Sequence, residues 1–472
     1  MKSLADAALA RPGAALLLLA AALAWQGALL GPFQFDDWNV IVEQPAAHSV
    51  AAWWASMPGI RPLLKLSYAL NWQGPESAGA FHLVNLCLHA ANVGLLWRLL
   101  LFWPQLDRRA AWWVALIFAL HPVQTEAVSY ISGRSMSLMA LFWLAAAVCW
   151  FHAAATNSRD CRAWRLAALL LFGAALAIRE TAWSLPFVLF FWQRAGGQSW
   201  RHSGRSLWPM WGVLLGAVLA ILALPGYRQM LAAALATREP LGNLALQVHA
   251  LAYLLIEPLL LLRNNIDPEL PSVARYDVGW CLAALLLIAL MILGWRGLSR
   301  WPAIGLALLW PFLLLMPTNG LIARLDPASE RHLYLAMIGP AVLLVQSLWG
   351  RWPTRLNGAI LFLLCTGLAL ATMQRNADYR SESALWEATR LRSPGKPRVW
   401  NNLGYAYLAE GRPDLALPAL RRALALDPTF LRAELNLERA ERAMALREGG
   451  AAGKESAEES ADPAIAAALK NQ

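Results

Sequence analysis

Two adjacent carboxylates, Asp36 and Asp37, directly follow the first apolar segment of the chain, and aromatic residues flank the pair. Residues 14–31 are long and apolar enough to form a membrane helix, so the pair should lie at or just above the bilayer surface. An ionised carboxylate there is unfavourable unless it faces a water-filled cavity, pairs with another group or belongs to a reactive site. An aspartate can also act as general base on an incoming hydroxyl group. A solvated loop acid is the alternative interpretation, and it stays open at this point.

Further arginines, histidines and acids recur at the ends of later apolar segments. Arginine can hold a phosphate group with two parallel hydrogen bonds, and histidine can assist it. Each motif alone also fits an ion pair or a snorkelling arginine, and for Arg179-Glu180 alone we favour that interpretation. His121 and Thr125 are four residues apart and are expected to share a helix face. The side chains concerned are His121, Glu126, Arg134, Arg179, Glu180, Glu330, Arg331 and His332.

The composition identifies a membrane protein. Of the 472 residues, 58% are hydrophobic and 15% are charged, and 25 are tryptophan, which is too apolar for a soluble chain of this size. The net charge of +10 is scattered between apolar segments, so we expect no nucleic acid partner. The five cysteines lie in apolar segments or on a basic loop and predict neither disulfides nor a metal site.

Eleven membrane spans are predicted, with the amino terminus in the cytoplasm. This orientation places the arginine-rich, acid-poor loops on the cytoplasmic side and the polar motifs on the opposite side. The apolar stretch 244–262 would reverse every later loop if it crossed, so we interpret it as a re-entrant or interfacial helix. The spans are 14–31, 80–103, 110–130, 136–154, 163–178, 182–193, 208–225, 279–295, 301–317, 332–348 and 356–373.

The membrane domain therefore covers residues 1–373, and the carboxyl-terminal region lies outside. The first outward loop, residues 31–79, carries the acid pair, and its Trp53-Trp54 pair predicts helices lying in the membrane interface. From residue 374 to 446 the pattern is that of a tetratricopeptide repeat. Its motif residues are Trp400, Leu403, Gly404, Tyr407, Ala416 and Pro428.

The tetratricopeptide region contains one full repeat, and a lone repeat cannot bury its faces. We expect it to lean on the membrane domain or on flanking half repeats; a generic helical hairpin is the alternative. Residues 447–472 are rich in Gly, Ala, Ser and Glu and predict a disordered tail.

The collected motifs suit one reaction, the transfer of a sugar from a polyprenyl phosphate. The phosphate of such a donor lies at the headgroup level and its tail lies in lipid. No phosphate loop, dinucleotide fingerprint or nucleophile elbow is present in the sequence. No cofactor is required, because arginines can neutralise the leaving phosphate, although a divalent cation stays open.

The motifs also occur in the order seen in one family. Phe35-Asp36-Asp37, His121-Pro122 with Glu126, Gly133-Arg134, Arg179-Glu180-Thr181 and Glu330-Arg331-His332-Leu333-Tyr334 resemble those of the transmembrane and tetratricopeptide repeat-containing O-mannosyltransferases and their bacterial relatives. That family lies within the GT-C glycosyltransferase superfamily. The resemblance covers about residues 14 to 440 and implies an all-α polytopic fold.

The resemblance implies an inverting transfer to a protein hydroxyl on the lumenal or periplasmic face. It makes Asp36 the general base, with Asp37 orienting the acceptor or the donor sugar. Arg134, Arg179 and Arg331 become candidates for the donor phosphate. His121 and Glu126 would shape the pocket, together with Glu180, Glu330 and His332. Composition points to a bacterial inner membrane with an undecaprenyl carrier.

The sequence departs from the family pattern at several positions. Ser135-Met136 follows Gly133-Arg134 where relatives usually have a small residue and an acid, and Arg179 stands where lysine is commoner. Two other classes of protein stay open. One is a non-catalytic scaffold whose tetratricopeptide region binds a protein partner for envelope assembly. The other is a flippase or transporter, which the one-sided distribution of ionisable residues disfavours.

Overall fold

The computed structural model describes residues 10–155, 160–261, 264–271, 276–320, 322–324, 326–351 and 353–452. These residues form helices and contain no strand. The helices before residue 260 are α1 Ala10–Trp25, α2 Val50–Ala55, α3 Pro62–Ala69, α4 Ala78–Leu100, α5 Arg108–Leu120, α6 Thr125–Val128, α7 Arg134–Ala155, α8 Asp160–Ile178, α9 Leu185–Ala195, α10 Trp200–Ser206, α11 Trp208–Ala223, α12 Pro225–Thr237 and α13 Pro240–Ile256. Those after it are α14 Val278–Arg300, α15 Pro302–Leu315, α16 Leu333–Ala336, α17 Ile338–Leu348, α18 Thr354–Asp378, α19 Glu382–Arg392, α20 Pro397–Ala409, α21 Pro413–Leu426 and α22 Leu431–Ala452.

Within the described residues, six helices are long and apolar enough to cross a membrane, and two bent pairs could raise the count to eight. The six are Gly13–Leu30, Ala78–Leu100, Ile131–Ala155, Asp160–Ile178, Val278–Arg300 and Thr354–Asp378. Pro240–Ile256 and Pro302–Leu315 are shorter apolar helices. The chain is thus an all-helical integral membrane protein, and the predicted count of eleven spans is not confirmed.

The predicted span 110–130 is wrong as a single helix, since α5 ends at Leu120. His121 has an extended backbone, with ψ of 128°, because the following Pro122 disfavours the helical conformation. A 3-10 turn and the short helix α6 follow. His121 and Thr125 therefore do not share a helix face, contrary to our expectation.

Other short helical turns also lie at the polar motifs. The 3-10 turns Ile131–Gly133, Glu180–Ser184 and Glu330–His332 each precede a longer apolar helix or a pair of them. A tight turn at the end of a membrane helix leaves backbone groups and side chains free to face a common space. The motifs are thus presented from helix ends, not from helix faces.

Tryptophan packing and close backbone contact hold the membrane helices together. The rings of Trp103, Trp192 and Trp310 lie 4.8–5.6 Å apart, centroid to centroid, where the end of α4 meets α9 and α15. Helices α14 and α15 approach so closely at Gly297 and Gly305 that a Cβ atom on Gly305 would collide with the backbone of Gly297. This scaffold fixes the helix ends that carry the polar motifs.

Helices α20 and α21 form the tetratricopeptide hairpin, and its motif residues supply the contacts. Gly404 lies directly against Leu420, where a Cβ atom would not fit, and Leu403 and Ala416 are buried in the same small core. Helix α19 precedes the hairpin and α22 follows it, as expected for flanking half repeats. Helix α22 continues to Ala452, past residue 447 where the disordered tail was predicted to begin; residues 453–472 lie outside the described residues.

Candidate active site

The two adjacent carboxylates differ in their surroundings. Asp37 is 1% exposed and is held by three hydrogen bonds, from the backbone N–H of Gln34 at 3.0 Å and from the backbone N–H and hydroxyl of Ser132. Burial raises the pKa of Asp37 to about 7, although all three hydrogen bonds oppose the rise. The Asp37 carboxylate therefore fixes the loop of residues 34–37, which we call the acid loop, to the Ile131–Gly133 turn.

Asp36 is only partly buried, and its carboxylate has fewer partners. Its backbone N–H donates to the Tyr130 hydroxyl at 2.9 Å. Burial raises the pKa of the Asp36 carboxyl, while the charge of Arg331 and a hydrogen bond from Tyr130 oppose the rise. A partly exposed carboxylate with a raised pKa and a nearby cation suits a general base.

Four arginines act on one another electrostatically, and one of them, Arg331, also acts on Asp36; we call Arg61, Arg179, Arg324 and Arg331 the cationic cluster. Burial, followed by the like charges of the other three, holds the pKa of Arg179 well below its usual range. Burial and the charges of Arg61 and Arg331 likewise lower the pKa of Arg324 to about 10. The geometry agrees for two of them, since the guanidinium groups of Arg179 and Arg324 both reach the same ring nitrogen of His332.

Two members of the cluster are paired with acids. Arg61 binds Glu180 with two prongs, Nε to Oε1 at 3.0 Å and Nη2 to Oε2 at 2.8 Å. Burial would raise the pKa of Glu180, but the charge and hydrogen bonds of Arg61 outweigh it, and the pKa lies below its usual value. Arg331 Nε lies 3.3 Å from Glu126 Oε1, and Glu126 Oε2 accepts the backbone N–H of Arg331 at 2.8 Å.

The other two members have no carboxylate partner among the described residues. Arg179 is 4% exposed; its Nη1 donates to the Ser135 hydroxyl and its Nη2 lies 3.5 Å from His332 Nε2. Arg324 Nη1 lies 3.0 Å from the same His332 nitrogen. Because both guanidinium groups are donors, His332 must offer its Nε2 lone pair to them. A buried guanidinium without a carboxylate partner, as in Arg179, is unfavourable, so this arrangement fits a site for an anion.

Arg134 does not join the cluster. It is 0% exposed and donates to Asn85 Oδ1 at 2.7 Å, Asn71 Oδ1 at 2.6 Å, and the carbonyls of Ser67 and Phe81. The guanidinium also lies over the ring of Phe81, 4.7 Å from its centroid. With these neutral acceptors satisfied, Arg134 ties α3 to α4, and the geometry gives no support to the predicted phosphate role.

His121 and Glu330 likewise have structural partners. His121 Nδ1 accepts the backbone N–H of Val123, so the imidazole caps the 3-10 turn. Glu330 accepts the backbone N–H of Asn265 and the Nδ2 of Asn264. Both residues shape the loops around the cluster, and neither is among its contacts.

Sequence reasoning missed Arg61 and Arg324 as members of the cluster. Arg61 lies in the long first loop and has a left-handed backbone, with φ of 52°, as does Phe35 beside Asp36, with φ of 48°. Such residues cost about 1–3 kcal/mol each and concentrate at functional sites. No sequence signal reveals a left-handed arginine, although its position in the polar outward loop was a hint.

An apolar cavity of about 650 Å³ lies between α9, α13, α14 and α15. Its lining includes Phe187, Phe191, Trp295 and Phe312, and also Asn319 and Gly320, which shortly precede Arg324 in the chain. A cavity with this lining suits a hydrocarbon chain. Within the described residues, no group of three histidines, cysteines or acids could hold a metal ion.

The fold and site define a polytopic helical membrane protein in which acids and arginines meet at helix ends beside a short tetratricopeptide region. The tetratricopeptide repeat family matches residues 397–430. Protein O-mannosyl-transferase TMTC3 of Mus musculus is 25% identical over 455 residues, which cover 86% of this chain and 48% of the mouse protein. Tmtc3 of Drosophila melanogaster is 25% identical over 496 residues, which cover 87% of this chain and 52% of the Drosophila protein.

A third relative, protein O-mannosyl-transferase TMTC2 of Mus musculus, is 33% identical over 135 residues, covering 28% of this chain and 15% of that protein. The chain spans about half the length of the relatives that it matches over most of its own length. It is related at the family level to these protein O-mannosyl-transferases, and the relation confirms the resemblance found in the sequence motifs.

Proposed function

We propose that this protein is a glycosyltransferase that moves one sugar from a polyprenyl phosphate to a hydroxyl group of a protein. The observation that carries the proposal is the pair of cations without carboxylate partners, Arg179 and Arg324, grouped with Arg331 near Asp36. A phosphate there would supply the missing negative charge. The names of the relatives support a protein as the acceptor and mannose as the first sugar to test.

The proposed reaction is a single inverting displacement. Asp36 removes the proton from the acceptor hydroxyl as its oxygen attacks the anomeric carbon of the sugar. The bond from that carbon to the phosphate oxygen breaks, and the polyprenyl phosphate leaves with the electron pair. The guanidinium groups of Arg179, Arg324 and Arg331 stabilise the charge that develops on this phosphate. Asp37 holds the acid loop in position.

The apolar cavity between α9 and α15 is the proposed location of the polyprenyl tail. Its lining is mainly aromatic and aliphatic, with Arg296 and Asn319 as polar members, and this favours a hydrocarbon occupant. Asn319 and Gly320, at one end of the lining sequence, precede Arg324 by only a few residues. A lipid-linked donor would then have its tail in the cavity and its phosphate at the cationic cluster. A soluble nucleotide sugar would make no use of this cavity.

The test is transfer from a synthetic polyprenyl-phosphate mannose to acceptor peptides by the purified full chain, with product detected by mass. Donors carrying other sugars, and a water-soluble phosphate sugar without the tail, extend the assay. We expect transfer only from a lipid-linked donor. Absence of any product over this donor series, with folded protein, contradicts the proposal and favours a non-catalytic scaffold.

We further propose that the site and the tetratricopeptide region face the periplasm of a bacterial inner membrane. The alternation of arginine-rich loops supports this orientation. A reporter that is active only in the cytoplasm, fused after Asp427, should be silent. Strong activity of that reporter contradicts the orientation and makes the stretch 244–262 a full crossing.

A further inference from the structure

Helix α19, at the start of the tetratricopeptide region, lies against the loop that carries the acid pair. The buried ring of Trp386 packs edge-to-face on Phe35, with ring centroids 5.4 Å apart and planes at 74°. Gln34 Nε2 donates to the carbonyl of Tyr379 at 2.7 Å. The two residues before Asp36 are therefore held by Tyr379, which follows α18, and by Trp386, which lies in α19.

Phe35 is the residue through which this contact reaches the acid. Its backbone is left-handed, with φ of 48°, which a phenylalanine adopts only when its surroundings impose it. Trp386 holds Phe35 from one side, and the Tyr130 hydroxyl accepts the backbone N–H of Asp36 from the other. Loss of the Trp386 contact would let the peptide relax and move the Asp36 carboxylate.

A second contact joins the repeat to the loop that carries Arg324. Arg398, in the first turn of α20, donates from Nε to Asp267 Oδ2 at 2.8 Å and from Nη2 to Asp326. Asp326 lies two residues after Arg324 in the chain, and Arg324 in turn contacts His332. The repeat is thus connected to the acid loop and to the cationic cluster by separate side chains.

The polar character of this second contact indicates positioning. Asp267 is 3% exposed and also binds Lys396, and its carbonyl accepts the Ser393 hydroxyl at 2.8 Å. Asp267 is the buried partner in this network, since the side chains of Arg398 and Asp326 are 34% and 39% exposed, and a buried carboxylate that loses its cation is strongly unfavourable. A tetratricopeptide region that served only to bind a partner protein would not need these contacts with the loops beside the active site.

We propose that Trp386 and Arg398 are positioning residues, through which the tetratricopeptide region sets the general base and the phosphate-binding loop. This inference rests on the proposed function. It assigns the two contacts different kinetic effects. Trp386 acts on Asp36 and therefore on the rate of the chemical step, whereas Arg398 acts on the loop of Arg324 and therefore on binding of the donor.

The experiment is steady-state transfer by full-length variants in the mannosyl assay above. We expect Trp386→Leu to lower kcat by about tenfold to a hundredfold with little change in the KM for donor, because small displacements of a catalytic group are costly. We expect Arg398→Gln to raise the donor KM by about 2–30-fold with a smaller change in kcat. Trp386→Phe and Arg398→Lys, which keep the ring edge and the charge, should recover part of each loss.

Arg421→Gln is the matched control, since Arg421 pairs with Glu441 inside the repeat, at 3.6 Å, and is exposed. This variant should behave as wild type. If Trp386→Leu or Arg398→Gln does not fold, the corresponding Phe or Lys variant decides: kinetics identical to wild type overturn the proposal. The proposal is also overturned if the Trp386 and Arg398 variants both change kcat and the donor KM by the same factor. An inactive wild-type protein contradicts the proposed function instead, so the two failures are distinguishable.

Discussion

Two regions of this protein each contain one aspartate of the adjacent pair and one arginine from a later motif, yet the two regions differ in chemistry. In one region Arg134 donates to neutral oxygen atoms and Asp37 accepts from neutral N–H and O–H groups, so the polar atoms of both side chains are hydrogen-bonded. In the other, Arg179 lies among like charges and Asp36 is only partly buried. Removing a buried group whose hydrogen bonds are satisfied destabilises a fold, because its partners are left unpaired, whereas a buried charge without a counter-charge is suited to binding a charged ligand.

The largest expected effect in the second region is that of Asp36→Asn. Asparagine keeps the size of the side chain but cannot accept a proton at neutral pH. General-base catalysis contributes about 10²–10⁴-fold, so we expect a loss of kcat of that order with donor binding largely intact. The measurement is single-turnover transfer by protein whose thermal unfolding matches wild type. Normal rates would remove Asp36 from the mechanism.

Exchanging arginine for lysine compares the two regions directly. Arg179→Lys keeps the charge but loses the planar fork, so we expect the donor KM to rise by about tenfold to a hundredfold without loss of stability. Arg134→Lys should instead destabilise the fold, by about 1–3 kcal/mol for each acceptor left unsatisfied, and leave the donor KM of the folded fraction unchanged. Transfer kinetics and thermal unfolding in detergent are measured on both variants. The opposite pattern would exchange the roles assigned to the two arginines.

The pH dependence of transfer should report Asp36. Burial raises the pKa of this carboxyl, and a general base works only when it is deprotonated. We therefore expect kcat/KM to fall by about tenfold for each pH unit below that pKa and to level off above it. The acidic limb should be missing from the residual activity of Asp36→Asn. A limb that persists in this variant belongs to another group.

The smallest effect on transfer is expected from Asp37→Asn, with a loss below about tenfold. The asparagine NH₂ would face the N–H of Gln34 in place of an acceptor, so we expect a loss of stability of about 1–3 kcal/mol. Because the folded pKa of about 7 exceeds the unfolded value, the stability that this carboxyl contributes is fully present below the unfolded pKa and is lost as pH rises to about 7. Thermal unfolding across this range should show that slope in wild type and not in the variant. A transfer loss larger than that of Asp36→Asn would make Asp37 the base.

Much of the architecture could be predicted from the sequence because its causes are local. The length and apolarity of segments such as Ala78–Leu100 indicate membrane helices, and the spacing of Trp400, Gly404, Tyr407 and Pro428 indicates the repeat. The polar motifs could also be placed at helix ends. Pro122 indicates a helix break at His121, but the predicted span 110–130 runs through this position.

Only the tertiary structure decided which charges share a site. The pair Arg61–Glu180 joins residues 119 apart, and Glu126 accepts the N–H of Arg331 across 205 positions. Arg134 binds neutral acceptors on and next to helices α3 and α4, and Arg324 lies in the cationic cluster. The physical reason is that helix formation depends on neighbouring residues, whereas the state of a buried charge depends on every group that the fold brings around it.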